Sequence, residues 1–318
     1  MSILLNNQFD QNSGWQAALS KELPELNIAC YPDVSDAAAI HYGVVWGHPF
    51  GDLKRYPNLR AIFSLGAGME HLLNDPELPE VPLISLGDPA MSQDMANYAL
   101  YWVIDFHRHM QHYRAEQMRQ QWNRLETPPT NDFNVLVLGL GRIGQHVAEL
   151  IQQAGFNVTG WDFKSKTAAA LSTVSGNDAL SELLPSTNVV ISCLALNERS
   201  HQLINADFLA QLPMGSHVVN ISRGGVIDED ALLDALDSDR LNGAALDVFS
   251  IEPLPSKHRL WIHSKVNVTP HMAGPTHISS AASVIAENIR RMERGEQPEP
   301  IFDRSRGVQA AAMQDKNT

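Results

Sequence analysis

The sequence predicts an α/β protein with two doubly wound parallel sheets, and three observations support this prediction. The chain has 318 residues, which exceeds the usual size of a single hydrophobic core, so two domains are expected. Short apolar runs alternate with helix-compatible segments, a pattern that favours parallel strands joined by crossover helices. A glycine-rich motif follows one of these runs but begins only at residue 139. The segment before it must therefore form a domain of its own.

The first 90 residues contain short apolar runs that we interpret as strands. These runs are 3–5, 28–30, 44–46, 61–63 and 83–84. The segments between them are helix-compatible or loops, so a small parallel sheet with crossovers is expected here. Residues 92–121 are then predicted to form one or two helices, which end before the pair Pro128-Pro129.

A second alternating series follows. Its predicted strands are 134–138, 157–161, 189–194, 218–221, 244–248 and 266–268, and its clearest helices are 143–153, 229–236 and 276–293. This order is typical of a doubly wound dinucleotide-binding domain. The predicted domain boundaries are 1–97 for the first part of a substrate-binding domain, 98–282 for the dinucleotide domain, and 283–318 for a return to the first domain.

Composition and charge exclude several classes of protein. The chain carries 23 Lys and Arg against 36 Asp and Glu, a net charge of −13 that disfavours nucleic acid as a partner. No apolar run approaches the ~20 residues of a membrane span, and the N-terminus does not resemble a signal peptide. The two cysteines, Cys30 and Cys193, form no recognisable framework. We therefore expect a soluble protein of a reducing, cytoplasmic compartment.

The glycine motif predicts a dinucleotide site. An apolar run, 135–138, leads directly into Gly139-x-Gly141-x-x-Gly144, and an amphipathic helix that includes Arg142 and Ile143 follows. The first glycine permits a tight turn, the second lets backbone approach a pyrophosphate, and the third lets helix and strand pack closely. The helix N-terminus adds unpaired N–H groups and a positive dipole, which favour bound phosphate.

A carboxylate follows the second predicted strand of this domain. Asp162 lies after residues 145–161, a separation that suits the residue that binds the adenosine ribose. Its charge would repel a 2′-phosphate, so the sequence favours NAD over NADP. Lys164 and Lys166 follow closely, however, and leave NADP open as the alternative.

Three residues further along the chain indicate the chemistry. Arg223 precedes two glycines, Glu252 precedes a proline, and His271 follows a proline. A forked guanidinium can bind a carboxylate and a carbonyl, while histidine can donate a proton near neutral pH. A nearby glutamate would raise the histidine pKa. These residue types together predict reversible hydride transfer to a 2-oxo acid, and the backbone of Gly66-Ala67-Gly68 can add N–H groups that bind an anion.

Four long motifs carry a resemblance to a known family. They are GLGRIG, NISRGGVIDEDAL, GAALDVFSIEPLP and VNVTPHMAG. Residues from about 43 to 290 resemble the D-isomer-specific 2-hydroxyacid dehydrogenases, and LGAGMEHL with the neighbourhood of Trp46 most resembles their glyoxylate/hydroxypyruvate reductase A branch. The resemblance implies a Rossmann-type NAD domain inserted in a flavodoxin-like substrate domain. It also implies D-stereochemistry and a homodimer.

The resemblance also implies residue roles. Arg223 would bind the substrate, His271 would be the acid/base, and Glu252 would be its paired carboxylate. Asp247 would hold the nicotinamide carboxamide, although a structural cap is the alternative for this residue. The predicted cofactor-binding set further includes Arg142, Ile143, Leu194, Ile221 and Gly274. The predicted substrate-binding set is Trp46, Ala67, Gly68, Arg223 and His271, with plain packing as the alternative for Trp46.

One segment departs from the branch that the chain most resembles. Proteins of that branch tend to carry a small residue and an arginine where this chain has Asp162-Phe163-Lys164, and they lean toward NADPH. The prediction is therefore NAD(P)-dependent reduction of a short 2-oxo acid, such as glyoxylate or hydroxypyruvate, to the D-2-hydroxy acid. The alternative is a non-catalytic protein that senses NAD(H) on the same fold.

No metal is predicted, because no Cys or carboxylate completes a site with the histidines at 107, 109 and 112.

Overall fold

The computed structural model describes residues 1–8, 12–166 and 171–304. Within these ranges the strands are β1 (Ser2–Asn7), β2 (Asn27–Cys30), β3 (Ile40–Trp46), β4 (Ala61–Ser64), β5 (Leu83–Ile84), β6 (Asn134–Leu138), β7 (Asn157–Asp162), β8 (Ser172–Ser175), β9 (Val189–Ser192), β10 (Ser216–Asn220), β11 (Leu241–Leu246) and β12 (Val266–Val268). The helices are α1 (Asn12–Glu22), α2 (Glu70–Leu73), α3 (Pro89–His107), α4 (Met110–Arg119), α5 (Arg142–Gln153), α6 (Asn177–Leu183), α7 (Ala206–Gln211), α8 (Glu229–Asp237) and α9 (Ile278–Glu293).

The chain divides into two compact units. The first unit comprises residues 1–91 together with the chain from residue 276, and the second comprises residues 92–275. The first division lies near the start of α3, and the second lies just before α9. The sequence-based boundaries were 97/98 and 282/283, and the part of the predicted return segment beyond residue 304 lies outside the described residues.

The first unit is built on a five-stranded parallel sheet. Its strand order is β2-β1-β3-β4-β5, which is the flavodoxin-like order. All six residues of β1 are buried, and its central residues, Ile3-Leu4-Leu5, form a continuous apolar run rather than an alternating one. On one face α1 packs against α9, where Gly14 and Ile278 meet closely. The predicted parallel sheet of this unit is confirmed.

The second unit contains a seven-stranded parallel sheet. Its order is β12-β11-β10-β9-β6-β7-β8, so the chain runs outward in one direction from β6 and then returns to the other side at β9. This reversal is the switch point at which doubly wound sheets bind their ligands. The predicted Rossmann-type sheet is confirmed, but the sequence analysis missed β8. That strand lies at the edge of the sheet and reads STVS, so it lacks the apolar run by which the other strands were predicted.

Apolar residues cover both faces of the second sheet. Leu136 and Leu138 of β6 belong to one buried cluster, whereas Val135 and Val137 belong to the other. Successive side chains of a strand point to opposite faces, so β6 is buried on both sides. Helices α7 and α8 contribute to the first cluster, and α3 and α5 contribute to the second. In the described part of the chain, no helix is long and apolar enough to span a membrane.

Candidate active site

The register of the second sheet places the predicted site residues in one row. Leu138 pairs with Trp161 and Ser192, Ser192 pairs with Asn220, Asn220 pairs with Leu246, and Leu246 pairs with Val268. The next residues along the chain are Gly139, Asp162, Cys193, Ile221, Asp247 and Thr269. Because the strands are parallel, the loops that carry the glycine motif, Asp162, Arg223, Glu252 and His271 all leave the same carboxyl edge.

Each of the three motif glycines is favoured at its position for a different structural reason. Gly139 has a φ of +93°, and a Cβ there would lie 2.9 Å from the Cys193 carbonyl oxygen. A Cβ on Gly144 would lie 1.8 Å from the Gly139 carbonyl oxygen, so only glycine lets α5 pack this close to the loop. A Cβ on Gly141 would meet no atom within 4 Å in the described chain. The N-terminus of α5 is therefore open at Gly141 to a group from outside.

Asp162 is tied to the glycine loop. Its Oδ2 accepts a hydrogen bond from the Leu140 N–H at 3.0 Å, which leaves the other carboxylate oxygen for a further donor. The first N–H groups of α5 have no intrahelical partner, and burial lowers the pKa of Arg142 at the start of that helix. Open backbone, a positive helix end and a carboxylate at the neighbouring strand end fit a dinucleotide.

Phe163, which follows Asp162 in the chain, makes a cation–π contact with Arg199. The Arg199 guanidinium lies 4.2 Å from the centroid of the Phe163 ring. Lys164, the first of the two lysines that left NADP open, is exposed. The positive groups after β7 thus include the exposed Lys164, the partly exposed Lys166 and the Arg199 guanidinium on the Phe163 ring.

Glu252 and His271 form a hydrogen-bonded pair. Glu252 Oε2 lies 2.7 Å from His271 Nδ1, while Glu252 Oε1 accepts the Phe249 N–H at 2.9 Å. Burial alone would raise the pKa of Glu252, but the hydrogen bonds from His271 and Phe249 bring it below its ordinary value. The hydrogen bond to Glu252 raises the pKa of His271, against the opposing effect of burial. The pair therefore favours carboxylate and imidazolium.

The backbone of His271 is held by Asp247. His271 has a φ of +51°, an uncommon conformation for a non-glycine residue, and its N–H donates to the Asp247 carbonyl oxygen at 2.8 Å. The Asp247 carboxylate accepts the N–H groups of Met272 and Ala273, each at 2.9 Å, and the Thr269 hydroxyl at 2.6 Å. Asp247 is only 1% exposed. It caps the turn that presents His271, and its contact with a nicotinamide stays a prediction.

Arg223 begins a short turn beside this pair. Asn220, which is buried, donates to the Arg223 carbonyl oxygen and accepts from the N–H and hydroxyl of Ser222, so the loop after β10 is internally braced. The Arg223 charge adds to the lowering of the Glu252 pKa and opposes the rise in the His271 pKa. The structure therefore brings together the three residues that the sequence analysis predicted as catalytic.

A backbone contact fixes Arg223 relative to Glu252. A Cβ on Gly224 would lie 1.8 Å from the carbonyl carbon of Phe249, so the glycine after Arg223 packs directly on the turn that carries Glu252. No other residue type fits there without moving one of the two segments. This contact explains the glycine that follows the arginine.

The remaining predicted cofactor residues lie near the same edge of the sheet. Leu194 and Ile221 follow β9 and β10 closely and are buried in the two core clusters, and Gly274 follows the His271 turn. Core packing accounts for the burial of the two apolar residues, and their cofactor contacts stay predictions. Sequence reasoning missed Asn220 and Ser192, whose side chains brace the loop through Ser222. Asn220 is the first residue of the motif NISRGG, and its place in that motif was the signal that could have identified it.

The predicted substrate residues of the first unit lie around a loop after β4. The ring centroids of Trp46 and His71 are 4.4 Å apart, and a Cβ on Gly66 would lie 2.6 Å from Trp46 Cζ3. Trp46 therefore packs on the glycine-rich loop and on His71 while remaining partly exposed. Packing accounts for part of its environment, and substrate contact stays a prediction.

A chain of hydrogen bonds sets the shape of this loop. The Gly47 N–H donates to His71 Nδ1 at 3.3 Å, so the neutral ring carries its proton on Nε2 and donates to Ser64 Oγ at 3.0 Å. The Ser64 hydroxyl is then free to donate to the Gly68 carbonyl oxygen at 3.0 Å, and Ser64 Oγ also accepts the Gly66 N–H. Burial, with the nearby His48, lowers the pKa of His71 to about 4 and keeps it neutral. Sequence analysis did not identify Ser64 or His71.

Two of the three histidines that were considered as metal ligands have hydrogen-bond partners on the backbone. His107 Nε2 contacts the Pro128 carbonyl oxygen at 2.8 Å, and His109 Nε2 contacts that of Glu126 at 3.1 Å. Across residues 1–8, 12–166 and 171–304, no group of three or more His, Cys, Asp or Glu is arranged to hold a metal ion.

Comparison with known proteins gives consistent matches over nearly the whole chain. The family model described as D-isomer specific 2-hydroxyacid dehydrogenase, NAD binding domain, matches residues 100–273. Glyoxylate/hydroxypyruvate reductase A of Klebsiella pneumoniae (strain 342) is 36% identical over 313 residues, which are 96% of this chain and 100% of that protein.

Two solved structures are similar in fold as well as in sequence. A D-isomer specific 2-hydroxyacid dehydrogenase from Xanthobacter autotrophicus Py2, in complex with NADPH and MES, has a TM-score of 0.92 and 36% identity, with 96% of this chain and 99% of that chain covered. An NADPH-dependent glyoxylate/hydroxypyruvate reductase from Sinorhizobium meliloti, in complex with NADP and sulfate, has a TM-score of 0.90 and 29% identity, with 96% and 100% covered.

Proposed function

The chain belongs to the D-isomer-specific 2-hydroxyacid dehydrogenase family and is an NAD(P)-dependent oxidoreductase, and we propose that it reduces a short 2-oxo acid to the D-2-hydroxy acid. Glyoxylate and hydroxypyruvate are the proposed substrates, because similar proteins carry those names. The observation that carries the proposal is the Glu252–His271 pair beside Arg223, in the unit that also holds the glycine loop.

The chain's own residues account for cofactor binding. The loop at Gly141 and the N-terminus of α5 would hold the pyrophosphate, and the free oxygen of Asp162 would accept a ribose hydroxyl. When bound, the nicotinamide supplies the hydride. Leu194, Ile221 and the predicted residues near His271 would line the rest of the site.

Arg223 and His271 would act on the substrate carbonyl. A guanidinium can bind the carbonyl and carboxylate oxygens of a 2-oxo acid together, which polarises the carbonyl and orients it. His271 Nδ1 faces Glu252, so Nε2 is the atom left to donate a proton to the developing alkoxide. The His271 side chain is 52% exposed, which leaves Nε2 accessible to substrate and to reprotonation by water.

For the cofactor we propose a preference for NAD, although the similar structures contain NADPH or NADP. The Asp162 carboxylate is fixed by the Leu140 N–H at the place where an added 2′-phosphate would bring negative charge. Like charges at short distance disfavour binding, and the nearby Lys164 is exposed and compensates only weakly.

We propose that a second copy of the chain covers an exposed apolar face of the second unit, which we call the dimer face. Its residues are Tyr101, Ile104, Met110, Met118, Trp122 and Leu125, of which Met118 and Trp122 are 85% and 99% exposed. Tyr101, Ile104, Met110 and Tyr113 also line a cavity of about 350 Å³ beside the face. An exposed tryptophan and a mainly apolar groove, which Asp105, Arg114 and Gln117 also line, support the proposal of a two-fold pair.

The homodimer is tested by measuring mass in solution. Trp122→Ser should shift the protein from dimer to monomer in analytical ultracentrifugation, whereas Trp261→Ser, a change at an exposed tryptophan outside the dimer face, should not. A monomeric parent protein would contradict the assignment.

The two cysteines are free thiols, as expected for the cytoplasmic location that we also propose.

The activity is tested with a panel of 2-oxo acids and both reduced cofactors, followed by loss of nicotinamide absorbance. We expect turnover of glyoxylate or hydroxypyruvate, with the higher kcat/KM for NADH. Tight NADH binding without turnover of any 2-oxo acid would instead favour the alternative, a non-catalytic sensor of NAD(H).

A further inference from the structure

Glu229, the first residue of α8, contacts the turn that carries Glu252. Its Oε1 accepts the Ser250 N–H at 2.8 Å, and its Oε2 lies 3.5 Å from His258 Nε2. The side chain is only 18% exposed. A carboxylate in the first turn of a helix is often explained by the helix dipole alone, but this one reaches 21 positions along the chain to a specific backbone N–H.

His258 holds Glu229 from the other side. His258 Nδ1 accepts the Leu260 N–H at 3.3 Å, so the neutral ring carries its proton on Nε2, which faces Glu229. The carboxylate is therefore held between the imidazole and the turn, and it has one acceptor oxygen for each.

Two carboxylates thus take successive N–H groups of one turn. Glu252 Oε1 accepts from Phe249 and Glu229 Oε1 accepts from Ser250, while Glu252 Oε2 is left to reach His271. Gly224 packs on the same turn at the Phe249 carbonyl. Loss of either carboxylate would free a backbone group whose direction sets the position of Glu252.

We propose that Glu229 is a positioning residue for the acid–base pair: its hydrogen bond to the Ser250 N–H holds the turn in the conformation from which Glu252 reaches His271. The inference rests on the proposed function for its catalytic consequence. The charged groups that act on His271 are Glu252, Arg223 and Asp247, and Glu229 acts on His271 through the position of Glu252.

The test measures the His271 imidazole titration by NMR in the full-length protein without cofactor. The resonance is identified by its loss in His271→Gln, and Glu252→Gln sets the shift expected when the pair is fully broken. We expect Glu229→Ala to lower the His271 pKa by about 0.5 to 1 unit and to lower kcat/KM for reduction about tenfold, as loss of a hydrogen bond to a charged group would. Glu229→Gln keeps an acceptor oxygen and should restore most of both quantities.

Asp230→Ala is the matched control. Asp230 is exposed in the same first turn and carries the same charge, and its side chain makes no hydrogen bond or ion pair with the described residues. If the helix dipole explains Glu229, both alanine variants should lose the same stability and neither should move the His271 pKa. If Glu229→Ala does not fold, Glu229→Asp withdraws the acceptor by one methylene, and an intermediate fall in the His271 pKa is expected.

An unchanged His271 titration in a folded Glu229→Ala or Glu229→Asp protein would overturn the inference, as would an equal shift in Asp230→Ala. The titration requires no turnover, so the two proposals fail separately. A His271 pKa that falls in Glu229→Ala, in a protein that turns over no 2-oxo acid, would contradict the proposed reaction and leave the positioning role intact.

Discussion

Glu252 and His271 share a hydrogen bond of 2.7 Å although they lie on different loops, after β11 and β12 respectively. The other carboxylate oxygen, Glu252 Oε1, accepts the Phe249 N–H. The backbone of its own turn therefore orients Glu252 toward the imidazole. The pair is partly exposed, with 35% of the Glu252 side chain and 52% of the His271 side chain accessible. Its protonation can therefore follow the pH of the solvent.

The first prediction concerns the pH dependence of reduction. The pKa of His271 is raised, and imidazolium is the proton donor, so kcat/KM for 2-oxo acid reduction should be highest below that pKa and fall as pH rises through it. Glu252→Gln removes the main cause of the rise, so the falling limb should move to lower pH. A pH profile of kcat/KM for both proteins checks this. A limb at the same pH in both would show that Glu252 does not control the titration.

Loss of His271 should separate chemistry from cofactor binding. His271→Ala removes the proton donor, and we expect kcat for reduction to fall about 10²- to 10⁴-fold, the usual contribution of general acid catalysis. NADH affinity, measured by fluorescence titration, should stay within about threefold. His201→Gln, at an exposed histidine of the same unit, is the control and should behave as the parent protein. Near-normal turnover in His271→Ala would remove this residue from the mechanism.

Arg223 should not be replaceable by lysine. Lysine keeps the charge but loses the planar fork of donors, so Arg223→Lys should lower kcat/KM roughly 100-fold, and Arg223→Ala should lower it further. The Asn220 bond that braces the loop involves the Arg223 backbone, whereas Arg223 Nη1 donates to the Ser222 carbonyl oxygen at 2.7 Å, so we expect only a modest fall in melting temperature. Steady-state kinetics and a thermal melt of each variant check both statements. Full activity of the lysine variant would mean that charge alone suffices.

Asp162 should control the choice of cofactor. Asp162→Asn keeps an oxygen that can accept the Leu140 N–H but removes the negative charge, so the loop should hold its shape while repulsion of a 2′-phosphate is lost. We expect the ratio of kcat/KM for NADPH to that for NADH to rise about tenfold, which corresponds to about 1.4 kcal/mol. Lys164→Ala serves as the comparison at the adjacent exposed cation. A parent protein that already prefers NADPH strongly would contradict the proposed NAD preference.

Two glycines of the same motif should respond in opposite ways. Gly144→Ala forces a Cβ to within 1.8 Å of the Gly139 carbonyl oxygen, so we expect the free energy of unfolding to fall by about 2–4 kcal/mol. Gly141→Ala meets no atom within 4 Å in the described chain and has an ordinary φ of −71°, so the free energy of unfolding should be almost unchanged. Its Kd for NADH should nevertheless rise at least about tenfold, because the methyl group would occupy the approach of the pyrophosphate. Chemical denaturation and NADH titration of both variants distinguish the two roles.

Much of the fold was predictable because its signals are local. Strands buried on both faces contain continuous apolar runs, 3–5 in β1 and 135–138 in β6, and the glycine motif begins directly after β6 and continues into α5. The edge strand β8 was not predicted, because a polar four-residue segment has no such signal and becomes a strand only by pairing with β7. Pairing is a property of the assembled sheet.

The candidate site, like the fold, was predictable only in part. Arg223, Glu252 and His271 were identified from residue type and motif, since each stands in a long and specific stretch of sequence. The contacts that hold them were not identified, although a structural cap was the alternative that the sequence offered for Asp247. Asp247 caps the His271 turn, and Glu229 holds the Ser250 N–H. Neither contact has a spacing that indicates it, because each joins segments that approach only when the strand ends lie in one row.

By itself, the order of residues was enough to predict two parallel-sheet units, a dinucleotide site on a glycine loop, and an arginine, a glutamate and a histidine suited to 2-oxo acid chemistry. Only the tertiary structure decided that Glu229 holds the turn that carries Glu252, that Asp162 is bound to the glycine loop, and that Ser64 and His71 shape the loop before α2. The physical reason is that local periodicity and backbone preference are encoded within a few residues. Hydrogen bonds between strand ends depend on sheet order and register, which the whole chain sets together.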